Sequence, residues 1–523
     1  MSRPDAARPP APDGAAGAEP LSEADAEEHI HGICFKTGPP GKVGVELEWL
    51  VRDGRDPGIR VDQQRVAAAL AGLGAPDALP GGGRLTTEPG GQVEISSAPA
   101  EGLGPCVDIT CRDLASLRAA VLPAGLCLAG EGLDPLRSPH RVLEMPRYAA
   151  MEEFFNRAGP WGRLMMCSTA SVQVCLDAGE QGSGPASVGW RWQLLHALGP
   201  VFVAAFANSP MREGRPTGWK STRQAIWARL DPCRTRPPAG AVPTAPGNGQ
   251  GRPLDADPRA AWIDYALSAE VMCVRRPGDQ LWTAPAGLTF RSWLRGEGER
   301  PPTLEDLSYH LSTLFPPVRP RGHLEYRVID AQAGDGWIVP AAVVTALLDD
   351  EAASQQAMAA AEVLWHQAST ACGGDFGDEP GAGGGAGWDC GSPWEWAARH
   401  GPTDPILGDI SVACFEAAES ALGRLDAPAA VRKAVSTFAE RYVARYRCPA
   451  DDRLDEARAA ASAYETPSSI PLSTGTPQAP GRTPQGATRR ASGTTQPQAP
   501  LRGPGAEDPP PEASGAPARE AMK

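Results

Sequence analysis

Lysine is scarce. The 523 residues hold five (Lys36, Lys42, Lys220, Lys433 and Lys523) among 49 basic side chains, so nearly every positive contact must be made by arginine. Aromatic residues are sparse at 6%, and the formal charge of −14 leaves no overall excess of basic residues. That balance argues against nucleic acid or an anionic membrane as the main partner, because either requires a basic surface. No run of 18 apolar residues occurs; the nearest, Leu194 to Ala207, is broken by His196, Gly199 and Pro200, so no membrane span is expected. Residues Met1 to Pro20 lack the apolar stretch of a signal peptide. Twelve cysteines are scattered without a C-x-x-C pair, which predicts reduced thiols and no zinc site in a cytoplasmic protein.

Phosphate loops are missing as well. Gly38-Pro-Pro-Gly-Lys42-Val has the wrong spacing for a P-loop, and its prolines remove backbone donors. The tract Gly381 to Gly387 mimics a dinucleotide fingerprint but lies in low-complexity sequence with no strand before it. There is no G-x-S-x-G elbow, and His29-Ile-His31 has no third metal ligand, so it reads as surface. Phosphate, where it binds, must be held through a metal ion and arginine.

Glycine (59) and proline (55) are plentiful but unevenly placed. From Pro467 onward large apolar side chains almost vanish, which predicts a disordered tail over 466–523. This tail holds six basic and four acidic residues, so the acidity resides in the rest of the chain. A disordered tail over 1–25 and flexible insertions at about 237–258 and 372–391 frame one domain at 26–465. Strand-like alternation marks Val43–Val51, Gln92–Ser97, Ala170–Leu176 and His323–Ile329. Helical periodicity marks Pro105–Val121, Trp190–Phe206, Pro340–Ala371 and Ile410–Tyr446. Strands separated by long irregular stretches fit an α+β fold around one antiparallel sheet, with a C-terminal helical layer.

The strands carry carboxylates where a core would be expected. In Gly44-Val-Glu-Leu-Glu-Trp-Leu-Val51, alternation puts Glu46 and Glu48 on one face, about 7 Å apart. An isolated E-x-E is most simply a solvated strand face. However, Glu88-Pro-Gly-Gly-Gln-Val-Glu94-Ile-Ser96 repeats the pattern, with a turn feeding a strand whose Gln92, Glu94 and Ser96 share a face. His323-Leu-Glu325-Tyr-Arg327 places an acid beside an arginine, and Gln173 sits between valines in Ala170 to Leu176. If these strands are neighbours, the oxygen-only donors suit a hard cation, Mg²⁺ or Mn²⁺, and through it nucleotide phosphates.

Six segments in order carry a family resemblance. They are Gly44-Val-Glu-Leu-Glu48, Glu88-Pro-Gly-Gly-Gln-Val-Glu-Ile-Ser-Ser97, Met165-Met-Cys-Ser-Thr-Ala-Ser-Val-Gln-Val174, Phe206-Ala-Asn-Ser-Pro210, Ser221-Thr-Arg-Gln-Ala-Ile-Trp227, and His310-Leu-Ser-Thr-Leu-Phe-Pro316 followed by Leu324-Glu-Tyr-Arg327. Together they resemble the glutamate-cysteine ligases of plants and proteobacteria, and most closely the actinobacterial branch that supplies ergothioneine synthesis. The resemblance implies a glutamine-synthetase-like curved antiparallel sheet and ATP-dependent joining of the L-glutamate γ-carboxylate to the L-cysteine amine. It implies metal ligation by Glu46, Glu48, Glu88, Glu94 and Glu325, a catalytic role for Arg327, Arg223 and Glu325, and substrate contacts from Thr169, Gln173, Arg223, Trp227 and Tyr265. Tyr265 and Met272 are the candidates for the cysteine pocket. Plant members carry arginine and asparagine where this chain has Ser168 and Cys175. The expected partners are ATP, L-glutamate and L-cysteine, with a monomeric state and neither nucleic acid nor membrane. A ligase using another amine acceptor, and a non-catalytic scaffold working through its Pro-rich tail, are the competing readings.

Overall fold

A computed structural model describes residues 20–465 apart from 76, 243–255, 279 and 372–391. The chain divides into a unit over 1–460 and a second over 461–523, of which only 461–465 are described.

The main sheet is built on β1 (Lys42–Asp53), with β2 (Arg84–Thr87), β3 (Val93–Ser96), β4 (Ala100–Glu101), β5 (Leu126–Ala129) and β6 (Ser171–Asp177). A separate small hairpin joins β7 (Met211–Arg212) to β8 (Arg215–Pro216), and β9 (Val318–Pro320) and β10 (His323–Asp330) complete the main sheet. Its order is β2-β3-β1-β6-β10-β9, every pairing antiparallel, with β4 and β5 also on β1. The four strands legible in the sequence are therefore consecutive neighbours. Val45, Leu47, Val93, Ile95, Val172, Val174, Leu324 and Tyr326 are all at most 2% exposed and form one face of the core.

Against that apolar face pack the helices Leu103–Val121, Gly199–Ala205 and Ile338–Asp349. The last is buried at every position from Val339 to Leu348, as expected of a helix apolar all round. It lies between the sheet and the C-terminal helices Pro405–Arg424 and Ala429–Arg441, which form the expected outer layer. Among the described residues no helix is long and apolar enough to cross a membrane.

Three long helical patterns are broken. The stretch from Trp190 to Phe206 divides at Leu198, before Gly199-Pro200, into Val188–Ala197 and Gly199–Ala205. Pro340–Ala371 divides at Asp350, which has an extended backbone and whose carboxylate caps the next helix by accepting from the Ala353 N–H at 2.9 Å. Ile410–Tyr446 divides around Asp426 and Pro428, the former at φ +47. The N-terminal boundary also needs correcting: a helix begins at Glu23, inside the segment expected to be tail. Ser22 and Asp25 form a capping box there, and Ile30 is fully buried with His29 half-buried beside it. The tail at 466–523 and the insertion at 372–391 lie outside the described residues, as do 243–255 of the other insertion.

Candidate active site

The second face of the sheet is polar. Cα register pairs Glu46 with Gln173 on one side and Ser96 on the other, Glu48 with Glu94, Thr86 with Glu94, and Glu325 with both Cys175 and Arg319. Paired residues share a face, so the quoted acids and amide line one wall spanning β2 to β9. Two carboxylates directly opposite each other, Glu48 and Glu94, repel unless donors or a cation lie between. Glu94 is 1% exposed and accepts from the Ser96 hydroxyl at 2.9 Å and the Thr86 hydroxyl at 3.3 Å. Glu48, half-buried, accepts from the Ser171 N–H at 2.9 Å and from Gln173 Nε2 at 3.1 Å.

Glu325 is fully buried and bridges arginines. Arg319 donates to it from Nη2 at 2.8 and 3.0 Å and from Nε at 3.2 Å, and Arg327 Nη1 donates to both Glu325 and Gln173. Burial alone would raise the Glu325 pKa, but Arg319, Arg327 and Arg321 hold it below the usual carboxylate range. Burial pulls the Arg319 pKa down to about 10, which still leaves it charged at neutral pH. For Arg327 the burial penalty is overcome by Glu325 and Glu46, with Glu48 adding to them, and its pKa lies above the ordinary arginine value.

Asp330, at the end of β10, gathers the other quoted segments. It accepts from the Asn208 N–H (2.9 Å), the Ser209 hydroxyl (2.7 Å) and the Ser221 hydroxyl (2.9 Å). Its pKa is raised by burial, against Arg223, whose Nη1 lies 3.8 Å away. Arg223 heads the short helix Thr222–Trp227, is 3% exposed, and donates from Nη2 to the Arg327 carbonyl at 2.8 Å. Its Nη1 is buried without a hydrogen-bond partner, and so is the indole N–H of Trp227, whose ring lies 5.7 Å from that guanidinium. Trp227 meets Phe315 edge-on at 5.8 Å, and Arg327 lies 6.0 Å from the Phe315 ring. Two buried donors without acceptors, on a wall of two arginines and two aromatics, suit an anionic ligand.

The turn bearing Glu88 is fixed by close packing. The Gly91 N–H bonds the Glu88 carbonyl at 2.8 Å and the Glu88 N–H the Gln92 carbonyl at 2.8 Å, with Gly91 at φ +86. A Cβ on Gly90 would stand 2.2 Å from the Cys167 carbonyl oxygen. Gln92 is an anchor, donating to the carbonyls of Thr169 (2.8 Å) and Met166 (3.3 Å).

Among the described residues, no three His, Cys, Asp or Glu side chains converge tightly enough to make a metal site. The carboxylates are spread along the wall, and Glu325 would reach a cation only by exchanging an arginine. The donor chemistry, oxygen only, nevertheless fits a hard ion.

The comparisons with known proteins agree with the segments that build this wall. The model of Glutamate-cysteine ligase family 2 (GCS2) matches residues 42–372. The chain belongs to that family. Glutamate–cysteine ligase EgtA of Mycobacterium tuberculosis (strain H37Rv) is 38% identical over 439 residues, which is 82% of this chain and 89% of the relative. EgtA of Mycolicibacterium smegmatis is 38% identical over 83% of this chain and 91% of its own length. The chloroplastic glutamate–cysteine ligase of Nicotiana tabacum is 30% identical over 64% and 63%. A solved Francisella tularensis glutamate–cysteine ligase in complex with AMP aligns over 81% of this chain at TM-score 0.40 and 13% identity, too loosely to add to the assignment. The chain is a ligase of this family.

Some expected family site residues lie elsewhere. Tyr265 is stacked on Trp262 at 5.3 Å in the helix Arg259–Ser268, its hydroxyl buried without a partner and its pKa pushed well up by burial; nothing bonds it to the polar wall. The Thr169 hydroxyl is spent on the Met165 carbonyl at 2.7 Å, as a helix terminus requires. Ser168 lines a cleft with Arg60, Arg137 and Asp134 and with Gly90 and Gly91 of the Glu88 turn. Met272 is core, packed with Tyr309 and Phe315. Ten described cysteines are free thiols, and burial pushes Cys167 up to about 12. Arg319 went unread in the sequence; the Arg319-Pro-Arg-Gly322 turn, with Gly322 at φ +82, would have placed it opposite Glu325.

Proposed function

We propose that this chain uses ATP to join the γ-carboxylate of L-glutamate to the amine of L-cysteine, giving γ-glutamylcysteine, ADP and phosphate. The observation carrying this reading is the single wall on which Glu46, Glu48, Glu94, Gln173, Glu325 and Arg327 meet, in a chain of this ligase family. A carboxylate is a poor electrophile, so its oxygen first attacks the terminal phosphorus of ATP and expels ADP. The cysteine nitrogen then attacks the acyl carbon of the γ-glutamyl phosphate, phosphate leaves, and a carboxylate or that phosphate takes the amine proton.

Arg327 holds anionic oxygens of the transferring group while Glu325 and Gln173 fix its guanidinium. Arg223 offers its spare Nη1, with the Trp227 N–H, to a substrate carboxylate or phosphate. Carboxylates drawn from Glu46, Glu48, Glu88 and Glu94, with Glu325 joining them only by exchanging an arginine, would hold Mg²⁺, which when bound neutralises charge on the nucleotide phosphates. In this reading the protein works in the cytoplasm, and its product supplies ergothioneine synthesis.

The test is ADP release by purified protein with ATP, Mg²⁺, glutamate and cysteine. Turnover that requires cysteine and falls at least 100-fold in Glu48→Gln is expected. Turnover with another amine but not cysteine would replace the acceptor, and no turnover with any amine would refute the reading.

A further inference from the structure

The segment 207–223 delivers Asn208, Ser209, Ser221 and Arg223 to the site, and it is held from behind by residues beyond the family match. Within it, Ser209 ties both ends together: its N–H bonds the Lys220 carbonyl (3.1 Å), its carbonyl accepts from Thr222 (3.1 Å), and its hydroxyl accepts from the Arg223 N–H (3.1 Å). Lys220 is the only one of the four described lysines that is not exposed. Its ammonium is paired with Asp451, each side chain 14% exposed. Asp451 also accepts from the Cys448 N–H at 3.0 Å, and the Ala450 N–H bonds the Ala207 carbonyl at 2.9 Å. Ala207, Cys448 and Ala450 close into a small buried apolar cluster. Two residues on, Arg453 lies 3.4 Å from Glu131, within the loop whose Gly130 and Gly132 hydrogen-bond Asn208. The start of the helix Pro449–Glu465 thus grips the segment at Ala207 and Lys220, and the neighbouring loop at Glu131, although the family match ends at 372.

We propose that Lys220 and Asp451 are positioning residues, a latch through which the C-terminal helix sets the place of Arg223. The proposal rests on the assignment of Arg223 to anionic substrate made above. The Arg223 guanidinium is held by the Arg327 carbonyl and lies beside Asp330, while its backbone is fixed by Ser209 and by Lys220 and Ser221, whose N–H groups bond the Ala398 carbonyl. Lys220 and Asp451 bond neither Glu325 nor Arg327, so cutting the latch reaches the sheet only through Arg223 and its contacts with the Arg327 carbonyl and Asp330.

The test compares Asp451→Asn and Lys220→Met with wild type, and with Arg458→Ala, which removes an exposed pair with Asp455 on the same helix. Expected in both latch variants is a rise of five- to twentyfold in the KM for the one ligand that Arg223 holds, glutamate or ATP. The KM for cysteine should stay within twofold, Asp451→Glu should restore most of the loss, and Arg458→Ala should behave as wild type. Hydrogen exchange of the full chain supplies a readout independent of turnover: amides of Ser209, Thr222 and Arg223 should exchange at least tenfold faster in Asp451→Asn, with those of β6 unchanged. Unchanged exchange, or faster exchange with every KM within twofold of wild type, overturns the proposal. An inactive wild type would sink the ligase reading instead, and exchange alone would then decide whether the latch exists.

Discussion

Replacing Glu325 by glutamine leaves three arginines around a site that has lost its negative charge. The carboxylate is fully buried and receives three contacts of 2.8 to 3.2 Å from Arg319, as well as one from Arg327, with Arg321 at 3.7 Å. At an effective dielectric near 20, each adjacent guanidinium contributes roughly 4 kcal/mol of attraction before desolvation is counted. Removing one partner of a buried pair typically costs about 3–5 kcal/mol, because the remaining charge keeps its desolvation penalty. For a unit of this size, unfolding entropy of about 2 cal/mol/K per residue converts that into a fall in Tm of about 3–5 °C. The measurement is thermal and urea unfolding of Glu325→Gln in EDTA without nucleotide. A carboxylate that served only as a metal ligand would leave stability unchanged under those conditions. Arg319→Met should cost a similar amount, and the double variant clearly less than the sum. A Glu325→Gln protein within about 0.5 kcal/mol of wild type in EDTA would refute the reasoning that the acid holds the arginines in place.

Gly90→Ala should lose about 1–3 kcal/mol and most of the turnover, since its Cβ meets backbone atoms of Cys167 at 2.2 to 2.6 Å, whereas Gly41→Ala, with nothing within 4 Å, should be neutral. Buried His196 and His310 donate to the carbonyls of Trp192 and Ala266, and burial lowers their pKa values to about 4 and about 3. The unfolded chain therefore takes up protons first. Stability is full above about pH 6.5 and falls as the pH drops, by about 1.4 kcal/mol per histidine at pH 5.5; urea midpoints at pH 7.5 and 5.5 should differ accordingly, and less in His310→Gln. Arg223→Lys keeps the charge but loses the planar fork, so steady-state kinetics should show a KM for glutamate or ATP raised at least tenfold. Deleting residues 466–523 should leave turnover within about threefold, since every residue assigned to the site lies between Glu46 and Asp330.

Strand alternation was legible because the sheet has one buried and one polar face, and Glu46 and Glu48, two positions apart in β1, cannot be hidden by a register shift without exposing Val45 and Leu47. Adjacency was not legible. That Glu94 stands opposite Glu48, and Gln173 opposite Glu46, depends on pairings between strands about 50 to 130 residues apart, which no local pattern encodes. The helix breaks at Leu198, Asp350 and Asp426 fall at glycine, proline or a capping acid, so their signals were present but outweighed by continuous apolar periodicity. The stacking of Tyr265 on Trp262 was not legible either: an aromatic on a helix has the same sequence signature whether it faces a substrate or stacks on a neighbour. Asp330 shows the limit most clearly. Nothing local in the sequence marks this last residue of β10, yet it is where Asn208, Ser209, Ser221 and Arg223 meet, so motifs separated by more than 100 residues are joined by a single carboxylate. A scan of single alanine substitutions across those four residues should therefore show strong non-additivity with Asp330→Asn, because each variant breaks the same buried network.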